Sequence, residues 1–563
     1  MDQNFIRRVY LGGLLILVIS LFYYQALKGN YFQRRAEHNY VRAIPIRSLR
    51  GKILDRNSVL LAYDKASFNL AVIPHQIRKK KDVFFKQLAE LLSYDEKRIQ
   101  ANYKRNFSNL FSPVDIIIDI DKAHALEVKE YFSDDILINP QPQRYYTFDY
   151  ECSHILGYVK EAASFYENLK KYGYAPNERA GFSGIEQYYD SYLKGEDGGD
   201  LIEVDSSGKI VGFLGERKAL GGKDIKLTID SRIQKIAYSS FEGKRGAIIL
   251  MDAQNGEILA LVSYPSFDIN AFVSGKDVAK FLLDKKRPLL NRAIQSSYPL
   301  GSTFKPVIAA AALEEGKSTP EREFTCRGSL TLGKATFDCW NTHGPEDLYE
   351  AFAHSCNVYF YNLGMITGPE HIAKWAQKFG LNAATGIDLP YERKGFIPTP
   401  EWKRKRLKTG WYGGDTLNLS IGQGFMEATP LEALVAINAI ATEGYLVKPY
   451  LIKEVNNVDA SSITRTFAGI SKESVNDIKL GLRAVVEFPD GTASELDRLN
   501  LEIAGKTGTA QTKGLSHGWF IGFFPYAKPK YALCVFAENC GSSSVAVNIT
   551  YRFLKWLQSK KLL

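Results

Sequence analysis

Three short stretches of this 563-residue sequence carry side chains whose types and spacing could do chemistry. Ser302-Thr303-Phe304-Lys305 sets a hydroxyl and an amine three residues apart. On a helix starting near Gly301 the two would lie on one face. A serine is a poor nucleophile until a base takes its proton, and a lysine can serve if its surroundings lower its pKa. Pro306 is tolerated only near a helix start, which agrees with this placement. Ser355-Cys356-Asn357 offers a hydroxyl to relay a proton and an amide to hold a substrate amide. Lys506-Thr507-Gly508-Thr509 follows the strand-like Leu501-Glu502-Ile503-Ala504-Gly505. A strand edge there could pair with an extended peptide, Lys506, Thr507 and Thr509 could bind a carboxylate, and Gly508 would admit a close substrate backbone. Each stretch alone is a weak signal, since Ser-x-x-Lys is more often a helix cap with a solvated lysine. The three in this order, with a second strand just after, form a strong one.

The elements that must position them can be read from pattern. Gly246 to Asp252, a turn at Asn255-Gly256 and Ile258 to Val262 read as a β-hairpin. Ile225 to Ile229 is strand-like, and Ser231 can cap the helix after it. Apolar helical segments fill the middle, strands return at Gly518 to Phe524 and Tyr531 to Ala537, and a last helix is expected over Val545 to Leu562. Strands at both ends with helices between suggest one α/β domain over 223–563, its central antiparallel sheet joining the two ends and flanked by helices. Residues 40–222 mix strand-like runs such as Phe68 to Ile73 with amphipathic helices such as Val83 to Leu92, an α+β region closed by the loop at Gly221-Gly222. The fold class is therefore multidomain, as the length also suggests.

Residues Val9 to Leu27 carry no charge and match the roughly 20 residues needed to cross a bilayer. Arg7 and Arg8 before them favour an N-terminus inside, with residues 1–8 as a cytoplasmic tail. No small-x-small cleavage site follows, so an uncleaved single-pass anchor (9–27) is expected, with an exported body. The composition is that of a folded chain, 45% hydrophobic and 24% charged, and the formal charge of +10 suits an anionic leaflet or polymer. Nucleic acid is not an expected partner: the densest basic run, Arg78 to Lys81, leads into an apolar-periodic stretch and reads as a solvated helix start.

Six cysteines in an exported chain raise the disulfide question. Cys152 stands alone, and Cys534 and Cys540 read as packed thiols. Cys326, Cys339, His343 and Cys356 follow the pattern Cys-x12-Cys-x3-His-x12-Cys, a thiolate and imidazole set that suits a closed tetrahedral zinc site. A Cys326–Cys339 disulfide with Cys356 as a packed thiol is the competing reading.

The three motifs together resemble those of penicillin-binding proteins and β-lactamases. The resemblance covers nearly the whole chain and is to the class B penicillin-binding proteins, with an anchor helix, an elongated pedestal and a transpeptidase domain. Arg50-Gly51-Lys52-Ile53-Leu54-Asp55-Arg56-Asn57 is similar to the family's opening pedestal motif, and Gly184 to Asp190 with Leu193-Lys194-Gly195 to the closing one. Gly413-Gly414-Asp415, Ser420 to Gly424 and Thr429-Pro430 resemble further transpeptidase stretches. The resemblance implies that Ser302 attacks the carbonyl between the terminal D-alanines of a peptidoglycan stem peptide, with Lys305 as general base. Ser355 would protonate the leaving amine, Asn357 would hold the substrate amide, and Lys506 and Thr507 would favour its carboxylate. Backbone N–H groups of Ser302 and Thr509 would form the oxyanion hole, and a β-lactam would leave Ser302 acylated.

The cysteine–histidine set resembles the elongation-type branch, some of whose members are understood to bind zinc at matching positions. The resemblance also implies an inner-membrane location, a RodA-type glycosyltransferase partner and other elongation-complex proteins. Four competing readings remain: a division-specific transpeptidase, a D,D-carboxypeptidase, a β-lactam sensor, and a β-lactamase. The last would need a deacylating base, and Glu392 and Glu401 lie in range without the expected local pattern.

Overall fold

The computed structural model describes residues 3–32, 41–107, 110, 113–133, 135–161, 178–204, 210–275, 277–461 and 463–563. The chain clusters into two compact units, neither continuous in sequence. One comprises Met1–Gly51, Asp64–Gln143 and Lys194–Gly222; the other comprises Lys52–Tyr63, Arg144–Leu193 and Lys223–Leu563.

In the first unit an apolar helix over Gln3–Phe22 widens into a π turn at Tyr23–Leu27. This stretch of 25 residues is long and apolar enough to cross a membrane, and none of its most apolar window is buried by the protein. Strand Val41–Ile46 pairs antiparallel with Gly198–Val204, which pairs in turn with Ile210–Arg217. Phe68 to Val72, the end of a longer strand, pairs with Val114–Ile120. Helices Lys81–Leu91, Glu96–Asn106 and Lys122–Phe132 complete a small core with these strands through Phe85, Leu88, Ile99, Ile116 and Val128. Asp95 and Asp121 cap the second and third of these helices by accepting from backbone N–H groups. The helix expected at Val83 to Leu92 is thus present, two residues earlier at its start.

The second unit is built on a five-stranded antiparallel sheet. Its strands are β1 (Gly246–Asp252), β2 (Ile258–Tyr264), β3 (Ala504–Ala510), β4 (His517–Phe524) and β5 (Tyr531–Ala537), in the spatial order β2-β1-β5-β4-β3. The N-terminal hairpin therefore joins the C-terminal strands, Ile248 facing Val535. Every residue of β4 and β5 is buried, because helices cover both faces of the sheet. The helices that matter here are α1 (Ser231–Ser239), α2 (Lys305–Glu314), α3 (Asn357–Thr367), α4 (Pro430–Ala441), α5 (Lys472–Glu487) and α6 (Ser543–Ser559). Helix α4 is buried along its whole length and packs on β1, β4 and β5; α6 packs on β4, β5 and α1.

Helix α1 corrects one local expectation. Asp230, not Ser231, is its cap, accepting from the N–H of Arg232. The Ser231 hydroxyl is taken by Asp55, donating to Oδ2 at 2.7 Å. Asp55 is fully buried and also accepts from the N–H groups of Asn57 and Val59. Buried Glu186 likewise holds the Arg144 Nε at 2.7 Å and the Tyr146 hydroxyl at 3.2 Å. Asp55 and Glu186, one from each pedestal motif, are thus satisfied buried partners, as buried carboxylates must be.

Candidate active site

A turn of 3-10 helix over Gly301–Phe304 carries Ser302 and runs directly into α2, which begins at Lys305. Pro306 falls in the first turn of α2, where no backbone N–H is needed. The turn is wedged from two sides. Gly301 has φ +57°, and a Cβ there would lie 2.8 Å from the Thr509 carbonyl oxygen of β3. Gly422, at φ +68°, passes so close that a Cβ would meet the Gly301 oxygen at 2.2 Å, and the Gly301 N–H donates to the Gly422 carbonyl at 2.9 Å. The stretch Ser420 to Gly424 is therefore the support of the serine turn.

Lys305 is completely buried. Its Nζ donates to the Ser355 carbonyl at 2.7 Å, to Asn357 Oδ1 at 2.9 Å and to Ser355 Oγ at 3.3 Å. Burial pushes its pKa down to about 8, with neighbouring acidic groups opposing the shift. A lysine so placed has a substantial neutral fraction near neutral pH, which an exposed lysine lacks. Ser355 sits in left-handed backbone at φ +53°, between helix Leu348–Ala353 and α3. That kink turns both its carbonyl and its hydroxyl to the lysine.

Strand β3 brings the third motif from the end of the sheet. Lys506 is also fully buried, and its Nζ donates to the Thr507 carbonyl at 3.3 Å. Desolvation, then the charge of Lys305, pushes its pKa well down. Gly508 is where β3 touches the serine turn. A Cβ there would lie 2.8 Å from the Leu300 oxygen and 2.9 Å from Thr303 Cγ2. Thr509 is exposed, its hydroxyl accepting from the N–H of Ser543 at 3.1 Å. Sequence reasoning missed two neighbours: Gln423 Nε2 donates to the Thr509 carbonyl at 3.4 Å, and Thr492 Oγ1 lies 2.8 Å from Thr507 Oγ1. Gln423 lay in a recognised stretch, but only the folded chain pairs it with Thr509.

Cys326, Cys339, His343 and Cys356 also come together, one ligand atom from each lying within 4.8 Å of every other. Tetrahedral zinc with sulfur at about 2.3 Å would set sulfurs about 3.8 Å apart, so a modest contraction would close the set. Cys339 Sγ stands 3.6 Å from His343 Nδ1 and accepts from the Asn357 N–H at 3.2 Å. The Cys356 thiol beside it, together with backbone N–H groups such as that of Asn357, pushes the Cys339 thiol down, while its proximity to Cys339 pushes the Cys356 thiol up. The buried His343 Nε2 has no hydrogen-bond partner. All six cysteines are free thiols, Cys326 and Cys339 included. The donor set fits a structural zinc ion.

Comparison with known proteins agrees with this geometry. Residues 246–555 match the model of the penicillin binding protein transpeptidase domain, and residues 45–227 that of the penicillin-binding protein dimerisation domain. The chain is 32% identical to the peptidoglycan D,D-transpeptidase MrdA of Haemophilus influenzae, over 95% of this chain and 88% of that one. Among solved structures it superposes on the penicillin-binding protein PBP2 of a Helicobacter pylori PBP2–MreC complex. The TM-score is 0.83 at 30% identity, over 93% of this chain and 99% of that one. A second, a chain of a peptidoglycan synthase complex that coordinates polymerization and crosslinking, gives a TM-score of 0.73 at 28% identity, over 98% of this chain and 97% of that one. A serine turn against the edge strand of an antiparallel sheet, with the matching family models, defines a serine transpeptidase. The chain belongs to the class B penicillin-binding proteins, in their elongation-type, PBP2 branch.

Proposed function

We propose that this chain cross-links peptidoglycan stem peptides as a D,D-transpeptidase during cell elongation, through an acyl-enzyme on Ser302. The observation that carries the assignment of roles is the buried Lys305, its pKa lowered to about 8 and its amine bonded to Ser355 and Asn357. Neutral Lys305 takes the Ser302 proton as Oγ attacks the carbonyl between the two terminal D-alanines. The developing oxyanion is met by the N–H groups of Ser302 and Thr509, a role supported by the close approach of Gly301 to Thr509. The lysine proton passes through the Ser355 hydroxyl to the departing D-alanine amine. Asn357 holds the substrate amide, and Lys506 and Thr507 the terminal carboxylate, with Gly508 and Thr509 lining the edge strand on which the stem peptide lies. An amine of a neighbouring stem peptide then attacks the ester carbonyl and gives its proton to neutral Lys305, which passes it to the departing Ser302 Oγ and is left neutral again. A β-lactam, mimicking D-Ala-D-Ala, leaves a stable ester on Ser302.

Cys326, Cys339, His343 and Cys356 would hold a zinc ion, which supplies a structural clamp and takes no part in acyl transfer. The clamp fastens the loop carrying Cys339 and His343 to the segment of Ser355 and Asn357. Residues 9–27 anchor the chain in the inner membrane with residues 1–8 inside and the body outside. Residues 40–222 serve as the pedestal and 223–563 as the transpeptidase domain. Glycan strands come from a RodA-type glycosyltransferase partner, and an MreC-type protein is a second elongation-complex partner; the pairing of PBP2 with MreC in a solved structure supports this.

Intact-mass analysis of the purified chain with benzylpenicillin tests the reading. A single adduct that persists for hours and is absent from Ser302→Ala is expected. No adduct on folded protein would sink the serine assignment, and a vanishing adduct with consumed drug would indicate a β-lactamase. Release of D-alanine without cross-linked product, from a substrate offering acceptor amines, would indicate a carboxypeptidase.

A further inference from the structure

The second and third motifs meet through a loop that no motif includes. Helix α5 ends at Glu487 with Phe488 as its C-cap, and Pro489-Asp490-Gly491 turns the chain back toward β3. The turn is locked onto the helix it leaves. The Gly491 N–H donates to the Phe488 carbonyl at 2.9 Å, and the Ala493 N–H to that of Val485 at 3.0 Å. A Cβ on Gly491 would lie 2.5 Å from the Val485 oxygen, so only glycine lets the loop sit this close.

From this fixed base the loop grips both motifs. Asp490 Oδ2 lies 3.0 Å from Nε2 of His354, the residue before Ser355, whose Nδ1 is held by Glu346 at 2.8 Å. The Thr492 N–H donates to the Ala353 carbonyl at 3.1 Å. The Thr492 hydroxyl reaches the other way, to Thr507 Oγ1 at 2.8 Å. Two consecutive polar contacts thus hold the base of the Ser355 segment, and one touches the strand that presents Thr507.

We propose that the loop Phe488–Ala493 sets the register between these two motifs, and that Thr492 is the positioning residue through which it orients the Thr507 hydroxyl toward the substrate carboxylate. The inference rests on the transpeptidase reading above and deepens it. A hydroxyl both donates and accepts. In the structure Thr507 donates to Thr492; when a carboxylate arrives the bond reverses, Thr492 donating its proton to Thr507 Oγ1 and Thr507 turning its own proton to the carboxylate. No covalent bond changes. Hydrogen bonds in such a chain strengthen one another, and a bond to a charged acceptor is the stronger kind. Thr507, almost fully buried, has little water to replace the lost partner.

The test compares acylation of Ser302 by benzylpenicillin and by its methyl ester, on the full-length chain in detergent. The two probes share the lactam and differ in the carboxylate that Thr507 is to recognise. In the wild type the acid is expected to react faster, and equal rates would remove the basis of the inference. Thr492→Val is expected to narrow the acid-to-ester rate ratio about tenfold, with the loss in the saturation constant for the acid rather than in the limiting rate. Thr492→Ser, which keeps the hydroxyl, restores the ratio. Thr492→Ala is measured beside Val, with melting temperatures of all three, so that a poorly fitting Val does not decide the outcome. An unchanged ratio in both Val and Ala overturns the inference and leaves the transpeptidase reading standing. So does an equal loss for acid and ester, which would mark Thr492 as merely structural. Absence of any wild-type adduct overturns both.

Discussion

Lys305 Nζ and Asn357 Oδ1 lie 2.9 Å apart, across 52 positions of sequence. This bond ties the first motif to the second. It also occupies a proton of the ammonium form, so the lysine stays positioned while its charge is lost and regained. Protonation of Lys305 and the orientation of the Ser355 segment are consequently linked.

Replacing Lys305 by methionine keeps bulk and removes the base. Acylation of Ser302 by benzylpenicillin should slow by about 10²–10⁴-fold, the usual worth of a positioned general base. Stopped-flow or quenched intact-mass kinetics would measure it. A loss below tenfold would assign the base elsewhere.

The pH dependence follows from the lowered pKa of Lys305. Only the neutral amine accepts the Ser302 proton, so the acylation rate should rise with pH, reach half its limit near pH 8 and then level off. Asn357→Asp places a carboxylate against the ammonium, stabilises the charged form and moves this limb to higher pH. A profile flat from pH 6 to 10 would contradict the assignment.

Gly508→Ala tests the contact between β3 and the serine turn. The added methyl meets the Leu300 oxygen and Thr303 Cγ2 inside normal contact distance, so one element must shift. A stability loss of about 1–3 kcal/mol is expected, read by thermal or denaturant unfolding, together with slower acylation. Gly275→Ala, where a Cβ has open space but φ is +68°, serves as the strain control.

The zinc clamp predicts one zinc per chain by elemental analysis. Chelation or Cys339→Ser should remove it and lower the melting temperature by at least about 5 °C. Acylation should then slow as well, because Cys339 receives the Asn357 N–H and abuts the second motif. A chain purified without metal, with the same melting point before and after chelator, would favour independent thiols.

Much of this was legible in the chain itself. Two short apolar runs and the Asn255-Gly256 turn between them announce the β1–β2 hairpin, and the uncharged run after Arg8 announces the helix at Gln3–Leu27, because run length and turn chemistry are local properties. The cap of α1 was misread because Asp230 and Ser231 are both competent; the choice was made by Asp55, 176 positions away, which claims the serine hydroxyl. The loop at Asp490 to Thr492 was passed over entirely. Its Pro-Asp-Gly turn is an ordinary signal, and nothing local says that a threonine after it will face Thr507.

Residue types and their order, set by the sequence alone, define the reactive groups: a serine and lysine three apart, a Ser-x-Asn, a Lys-Thr-Gly-Thr on a strand, and four soft ligands in one pattern. What only the tertiary structure decided is their state and their assembly. Lys305 has a pKa near 8 because packing removes water from it, and desolvation depends on atoms from distant parts of the chain. Ser302, Ser355 and Lys506 share one site because β3 is an edge strand of a sheet that pairs the first strands of the domain with its last, and long-range pairing leaves no periodic trace in the segments that join it.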